Sequence, residues 1–161
     1  MNITIIGFRS TGKSTISKLL ARKLDKKLIS IDNELLKRTK NNAKKYIKTY
    51  GLNKFQELET EVIEKLSDFD DCIFDTNYSI VMRNENIINL KKGSLIILLT
   101  ADVKTIAERL KNKEKDLDIR TLLQEYEPRY NNAADYAIDT SRLSPEEICD
   151  LIVHYTRLEI Q

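Results

Sequence analysis

The sequence predicts an α/β fold: a five-stranded parallel sheet with helices on both faces. Short β-branched apolar runs alternate with longer segments of helical period, the pattern of strands buried on both sides by crossover helices. Breakers are scarce. With 4 Gly and 2 Pro in 161 residues, no linker or repeat marks a second unit, so a single domain over residues 1–161 is expected.

Each element follows from its own pattern. Residues 3–6 (ITII) read as a fully buried strand ending at Gly7. In ISKLLARKL, Ile16, Leu19, Leu20 and Leu24 fall on one helical face. Residues 28–32 (LISID) read as the second strand, followed by a short helix carrying Leu35 and Leu36. A charged stretch, 37–48, leads to Gly51, a candidate helix C-cap. Across 53–66, Phe55, Leu58, Val62 and Leu66 form one apolar stripe, and Glu59 falls off it. Residues 72–75 (CIFD) and 94–100 (SLIILLT) are the third and fourth strands, and Asp102 is placed to cap the helix that follows. Residues 136–139 (YAID) make the fifth. Ser144-Pro145-Glu146-Glu147 then opens the last helix with a capping box and Pro at its first position, turning Ile148, Leu151, Ile152 and Tyr155 inward. The charged stretch 112–118 (NKEKDLD) reads as the least regular part of the chain.

Composition excludes several classes. The 27 Lys and Arg nearly balance the 25 Asp and Glu, a net charge of +2, so no global field draws the chain to nucleic acid or a membrane. The longest apolar run, 95–99, is too short to span a bilayer, and no export signal precedes the first strand. Cys72 and Cys149 lie in apolar stretches without metal-ligand spacing, so they read as core residues of a reduced, cytoplasmic protein. His154, the only histidine, has no Ser or acidic partner pattern, which argues against histidine catalysis.

The stretch GFRSTGKST, from Gly7 through Arg9, Ser10, Thr11, Gly12, Lys13 and Ser14 to Thr15, matches the Walker A phosphate loop at every specified position. Its spacing has a mechanical reason. Gly7 and Gly12 let the backbone wrap a phosphate with its N–H groups pointing inward, and the following helix adds its positive N-terminus. Lys13 reaches the β- and γ-phosphates, and the Ser14 hydroxyl ligates Mg²⁺. Average composition produces such a match at only about 4 in 100,000 starting positions, and here it also sits between a strand and a helix. ATP and Mg²⁺ are therefore the expected cofactors. The GTPase base-reading motif NKxD is not met, because Asn53-Lys54-Phe55-Gln56 fails at its last position. A short P-loop chain with a charged, mobile stretch late in the sequence points to a small-molecule kinase, whose lid excludes water from the reaction.

Further segments carry a resemblance to the shikimate kinase family along nearly the whole chain. FQELETEVI at 55–63 resembles that family's FRxxExxVL, and Arg83-Asn84-Glu85-Asn86 its RxEN. Arg120-Thr121-Leu122-Leu123 resembles the RPLL of its lid, and ADYAIDTSRLSP its ADxxxDTxxxSP tail. The resemblance implies a P-loop kinase fold with a lid at about 112–121, and transfer of the ATP γ-phosphate to a hydroxyl of shikimate or a related polar compound. It implies that Asp32 binds the acceptor hydroxyls and takes the proton, an expectation that also suits a carboxylate at the end of a parallel strand. It further implies that Glu59 lies beside the acceptor, that Arg120 bridges donor and acceptor, and that Arg109 packs on the adenine opposite Pro145. The rival reading for each is an ordinary helix cap or surface charge.

The departures from the family cluster at the acceptor. Its carboxylate-binding Arg in FRxxE is Gln56, which forms no bidentate ion pair. Its TGGG reads Thr76-Asn77-Tyr78-Ser79, adding the Asn77 and Tyr78 side chains where the family has none. The first Asp of its DxD is Ser30, and Asp75 is the candidate to supply that charge to Mg²⁺. Its second carboxylate-binding Arg is Tyr126, with Arg129 as candidate replacement. Two other readings stay open: a nucleoside or nucleotide kinase stacking a base on Tyr78 and Tyr126, and a nucleotide-binding protein without catalysis. A small-molecule acceptor is the expected partner. No surface strip stands out as an interface, which favours a monomer.

Overall fold

The structure, a computed structural model, describes residues 1–110 and 118–161. Five parallel strands form one sheet: β1 (Asn2–Gly7), β2 (Lys27–Ser30), β3 (Cys72–Asp75), β4 (Ser94–Thr100) and β5 (Tyr136–Asp139). Their order is β2-β3-β1-β4-β5. β1 is central and buried along its whole length, with Ile5 beside Asp75 on one side and Ile97 on the other.

Alternation along β1 splits the interior into two cores. Ile3 and Ile5 face α1 (Lys13–Leu24) and α8 (Pro145–Ile160), where Ile16, Leu20, Cys149 and Ile152 close around them. Ile6 faces the other side, packed with residues of α2 (Ile31–Arg38), α4 (Leu52–Leu66), α5 (Asn84–Lys91) and α7 (Ile119–Ala133), among them Leu35, Ile63, Leu90 and Leu123. Each fully buried Ile or Leu contributes about 1.5–3 kcal/mol, and the buried polar residues of β1, Asn2 and Thr4, are hydrogen-bonded, to the Phe69 carbonyl at 2.7 Å and the Ser94 hydroxyl at 2.6 Å. Both cysteines are free and buried. The capping box at Ser144 and Glu147 is present, and Asp102 caps α6 (Val103–Leu110) by accepting the Thr105 N–H at 2.7 Å.

Three boundaries differ from expectation. α1 begins at Lys13, three residues earlier than its apolar face, because the phosphate loop feeds directly into its first turn. The charged stretch before Gly51 contains a further helix, α3 (Ala43–Tyr50), whose Asn42 cap accepts the Lys45 N–H; Gly51, at φ 92°, ends it as expected. The second strand stops at Ser30, so Asp32 lies in the first turn of α2 and not at a strand end. Ser30 causes this. Its hydroxyl accepts the Asn33 N–H at 3.3 Å and turns the chain into a helix despite the β-branched Ile31. Of the expected lid, residues 112–117 lie outside the described residues. Asp118 caps α7, accepting the Thr121 N–H at 3.2 Å.

The chain leaves β1 toward β2 on one side and reaches β4 on the other. The crevice beyond the carboxyl ends of the strands, where the order reverses, is where α/β sheets hold ligands. Gly7, Ser30 and Asp75 end their strands at that rim.

Candidate active site

The loop from Gly7 to Gly12 turns on backbone conformations that side chains resist. Gly7 has φ 150°, and a Cβ there would lie 2.4 Å from the Leu99 carbonyl oxygen. Gly12 has φ 96° and ends the loop as the N-cap of α1, with no side-chain cap on the helix. The first-turn N–H groups of Lys13, Ser14 and Thr15 thus belong to a helix end suited to an anion. Ser10 sits at φ 60°, a left-handed conformation uncommon outside glycine. The loop is tied down from inside. The Thr11 hydroxyl donates to the Phe8 carbonyl at 2.8 Å, and the Thr140 hydroxyl to the Thr11 carbonyl at 3.1 Å. Arg109 is exposed and donates to the Ser10 carbonyl at 2.6 Å, which places it against the nucleotide loop from outside.

Lys13 reaches back across the loop to the Phe8 carbonyl at 2.7 Å. Burial lowers its pKa to about 8, opposed by the charges of Asp75 and Asp32. The nearby carboxylates of Asp75 and Asp32 favour its charged form.

Beside it, the Ser14 hydroxyl donates to Asp75 Oδ2 at 2.9 Å. The other oxygen, Asp75 Oδ1, is buried and finds no hydrogen-bond partner among the described residues. Burial raises the Asp75 pKa, against the opposing pull of Ser14 and Lys13. An orphaned carboxylate oxygen next to a hydroxyl is an arrangement that a hard divalent cation completes. Ser30, by contrast, is occupied as a helix cap.

Asn77 joins two of the residues expected on the acceptor side. Its Nδ2 donates to Glu59 Oε2 at 2.7 Å and to Asp32 Oδ1 at 3.1 Å. Its Oδ1 accepts from the Ser79 N–H at 3.1 Å and the Ser79 hydroxyl at 3.0 Å. Glu59 is only 4% exposed, contrary to the surface position its place off the apolar stripe suggested. The buried face of α4 is wider than that stripe because Ile63, one turn on, is also fully buried. Burial raises the Glu59 pKa, and the Asn77 hydrogen bond opposes the shift. Asp32 is exposed at its helix end.

Tyr78 takes a place in an aromatic cluster. The Arg9 guanidinium lies 4.1 Å from its ring centroid, and Arg9 Nη2 donates to its hydroxyl at 2.6 Å. Phe8 and Tyr126 meet the ring edge-on, at 5.8 and 5.6 Å, and the Tyr130 hydroxyl donates to the Tyr78 carbonyl at 2.5 Å. Tyr126 in turn stacks on Tyr130 at 5.9 Å. The two rings considered as base platforms are thus engaged within the protein, Tyr78 beneath the Arg9 guanidinium and Tyr126 against Tyr130.

The remaining expected residues scatter. Gln56 is half-buried on α4. Arg129 is exposed and donates to the Met82 carbonyl at 3.4 Å. Arg120 is exposed in the first turn of α7, and Pro145 opens α8. Sequence reasoning missed the support behind Glu59. Arg83 donates to the Thr60 hydroxyl at 3.3 Å, Thr60 to Asn86 Oδ1 at 2.8 Å, and buried Asn86 to the Ile80 carbonyl at 3.0 Å. The RxEN segment was the available signal, since it contains both Arg83 and Asn86.

Comparison with known proteins identifies the family. The family model "Shikimate kinase" matches residues 9–157. A shikimate kinase of Caldicellulosiruptor bescii is 35% identical, covering 94% of this chain and 93% of its own. One of Thermodesulfovibrio yellowstonii is 34% identical, covering 98% and 96%. The crystal structure of shikimate kinase from Aquifex aeolicus superposes with a TM-score of 0.85 at 26% identity, covering 98% of this chain and 96% of that one. Among the described residues no helix is long and apolar enough to cross a membrane. With its phosphate loop, its parallel sheet and a family match over nearly its whole length, the chain belongs to the shikimate kinase family.

Proposed function

We propose that this chain transfers the γ-phosphate of ATP to a hydroxyl of a small polar acceptor, shikimate or a close relative, with Mg²⁺ as cofactor. The observation that carries this reading is the position of Lys13. Its ammonium lies within electrostatic reach of both Asp75, on the metal side, and Asp32, on the acceptor side. Donor-side and acceptor-side groups thus share one cation, which can neutralise charge on a phosphoryl group passing between them.

The roles follow from the contacts. Loop N–H groups and Lys13 hold the β- and γ-phosphates and neutralise charge on the transferring group. Ser14 and Asp75 would hold Mg²⁺, with the orphaned Asp75 Oδ1 as the oxygen in need of a partner. Bound there, Mg²⁺ supplies charge neutralisation on the phosphate oxygens. Asp32 orients the acceptor hydroxyl and takes its proton, and Glu59 with Gln56 lines the acceptor side. Arg109 and Pro145 flank the nucleotide base, and Arg120 closes on the phosphates. Arg129 and Arg83 are the cations available to an acceptor carboxylate, in place of the guanidinium absent at Gln56. The chain acts as one domain over residues 1–161, and we place it in the cytoplasm.

ADP release from ATP and Mg²⁺, measured against shikimate, related hydroxylated acids and nucleosides, tests the reading. Stimulation by shikimate or a related acid supports it. Stimulation by nucleosides alone, or by no acceptor despite ADP binding, overturns it.

A further inference from the structure

The shikimate kinase resemblance puts glycine where this chain has Asn77, and the contacts of that side chain have a consequence for catalysis. An asparagine amide offers two donors on nitrogen and two acceptor positions on oxygen. Asn77 uses all four inside the protein, two on the Asp32 and Glu59 carboxylates and two on Ser79. The amide orientation is determined by its neighbours. Reversed, it would set an oxygen against two carboxylates and an NH₂ group against the Ser79 N–H. Ser79 therefore holds the amide, and the amide holds the carboxylates.

We propose that Asn77 is a positioning residue for phosphoryl transfer, whose side-chain amide ties Asp32 to buried Glu59 and so fixes the Asp32 carboxylate toward the acceptor hydroxyl. The proposal rests on Asp32 being the acceptor-side carboxylate. Without the bridge, Asp32 is an exposed residue in the first turn of a helix, free to sample several rotamers. With it, one oxygen is anchored to a network that runs from Glu59 on α4 to the segment after β3, and the other is left for the acceptor. Glu59 is the anchor because it is buried and cannot follow Asp32 into solvent. Misplacing a reacting group by about 1 Å costs on the order of 100-fold in rate, so a bridge of this kind acts on kcat.

The test uses Asn77→Ser, which keeps an oxygen to accept the Ser79 N–H but replaces the two-donor amide with one shorter hydroxyl that cannot bridge both carboxylates, and Asp32→Asn, alone and combined. Rates are measured with ATP, Mg²⁺ and shikimate, together with the ADP Kd and Tm of each variant. Asn77→Ser is expected to lower kcat at least tenfold, with the ADP Kd within twofold of wild type. In the Asp32→Asn background the same change is expected to cost less than twofold, because a residue acting through Asp32 has nothing left to act on. An equal loss in both backgrounds, or a kcat within twofold in Asn77→Ser alone, overturns the proposal. If the Asp32→Asn rate falls below detection, the split decides: loss in kcat at unchanged ADP Kd and Tm supports positioning, and loss that tracks a fall in Tm overturns it. Full turnover in Asp32→Asn would instead sink the reading of Asp32 itself, and the proposal with it.

Discussion

The hydroxyl of Ser14 and the carboxylate of Asp75 meet at 2.9 Å, joining the first turn of α1 to the end of β3. The bond spans 61 positions in sequence and holds one Asp75 oxygen, while the other is buried without a partner among the described residues. A carboxylate arranged in this way is destabilised alone and stabilised by a cation. Asp75→Asn is therefore expected to lower kcat at least 100-fold and to shift the Mg²⁺ dependence to higher concentration, with binding of metal-free ADP little changed. Rates measured across a Mg²⁺ titration check this. An unshifted titration would remove Asp75 from the metal site.

Lys13 gives a pH dependence whose sign can be worked out. Burial lowers its pKa to about 8, and bound phosphate favours the ammonium. Below about pH 8 the lysine is already charged, so binding needs no proton. Above it, ADP binding takes up a proton and affinity falls as pH rises. Calorimetry at pH 8.5 in two buffers of different ionisation enthalpy measures the uptake, which should vanish in Lys13→Met. Buffer-independent enthalpies in the wild-type protein would contradict the assignment.

Glu59 is a buried carboxylate whose pKa is raised from the ordinary 4.5, by burial foremost. In an acid with a raised folded-state value, the unfolded chain loses its proton first. The cost to stability is absent below the unfolded value and grows as pH rises through the folded one. Glu59→Gln should accordingly raise Tm by a few degrees at pH 7 and leave it unchanged near pH 4. A gain equal at both values would trace the effect to packing. Activity should fall in the same variant, a trade-off expected where a site stores an unfavourable charge.

Gly7 tests the loop. Its φ of 150° and a Cβ position 2.4 Å from the Leu99 carbonyl oxygen and 3.1 Å from Thr11 Oγ1 leave no room for a methyl group. Gly7→Ala is expected to cost about 3 kcal/mol or more, read as a lowered urea midpoint, and to abolish ADP binding in whatever folds. Unimpaired stability would mean that β4 gives way more easily than its buried position implies.

Local patterns were enough for much of this molecule. GFRSTGKST specifies its own geometry, because glycine and lysine spacing in nine successive residues encode a turn and a helix start. The strands declared themselves by β-branched runs, and the last helix by its capping box. Asp32 is different. Strand and helix propensities compete at Ile31, and the outcome rests on one hydroxyl, that of Ser30, bonding three residues ahead.

Glu59 and Asn77 lay further out of reach. The burial of Glu59 depends on neighbours far along the chain, and helical period describes only how a residue sits on its own helix. Asn77 looks in sequence like the loss of a glycine; folded, it joins residues 45 and 18 positions away. Tyr78 likewise read as an added side chain or a base platform; folded, it packs with Arg9, Phe8 and Tyr126. The phosphate-loop geometry was legible in the residues alone, since contiguous backbone encodes it. The meeting of carboxylates from α2 and α4 with an amide after β3 came only with the folded chain, because hydrogen bonds between distant segments have no signature in local pattern.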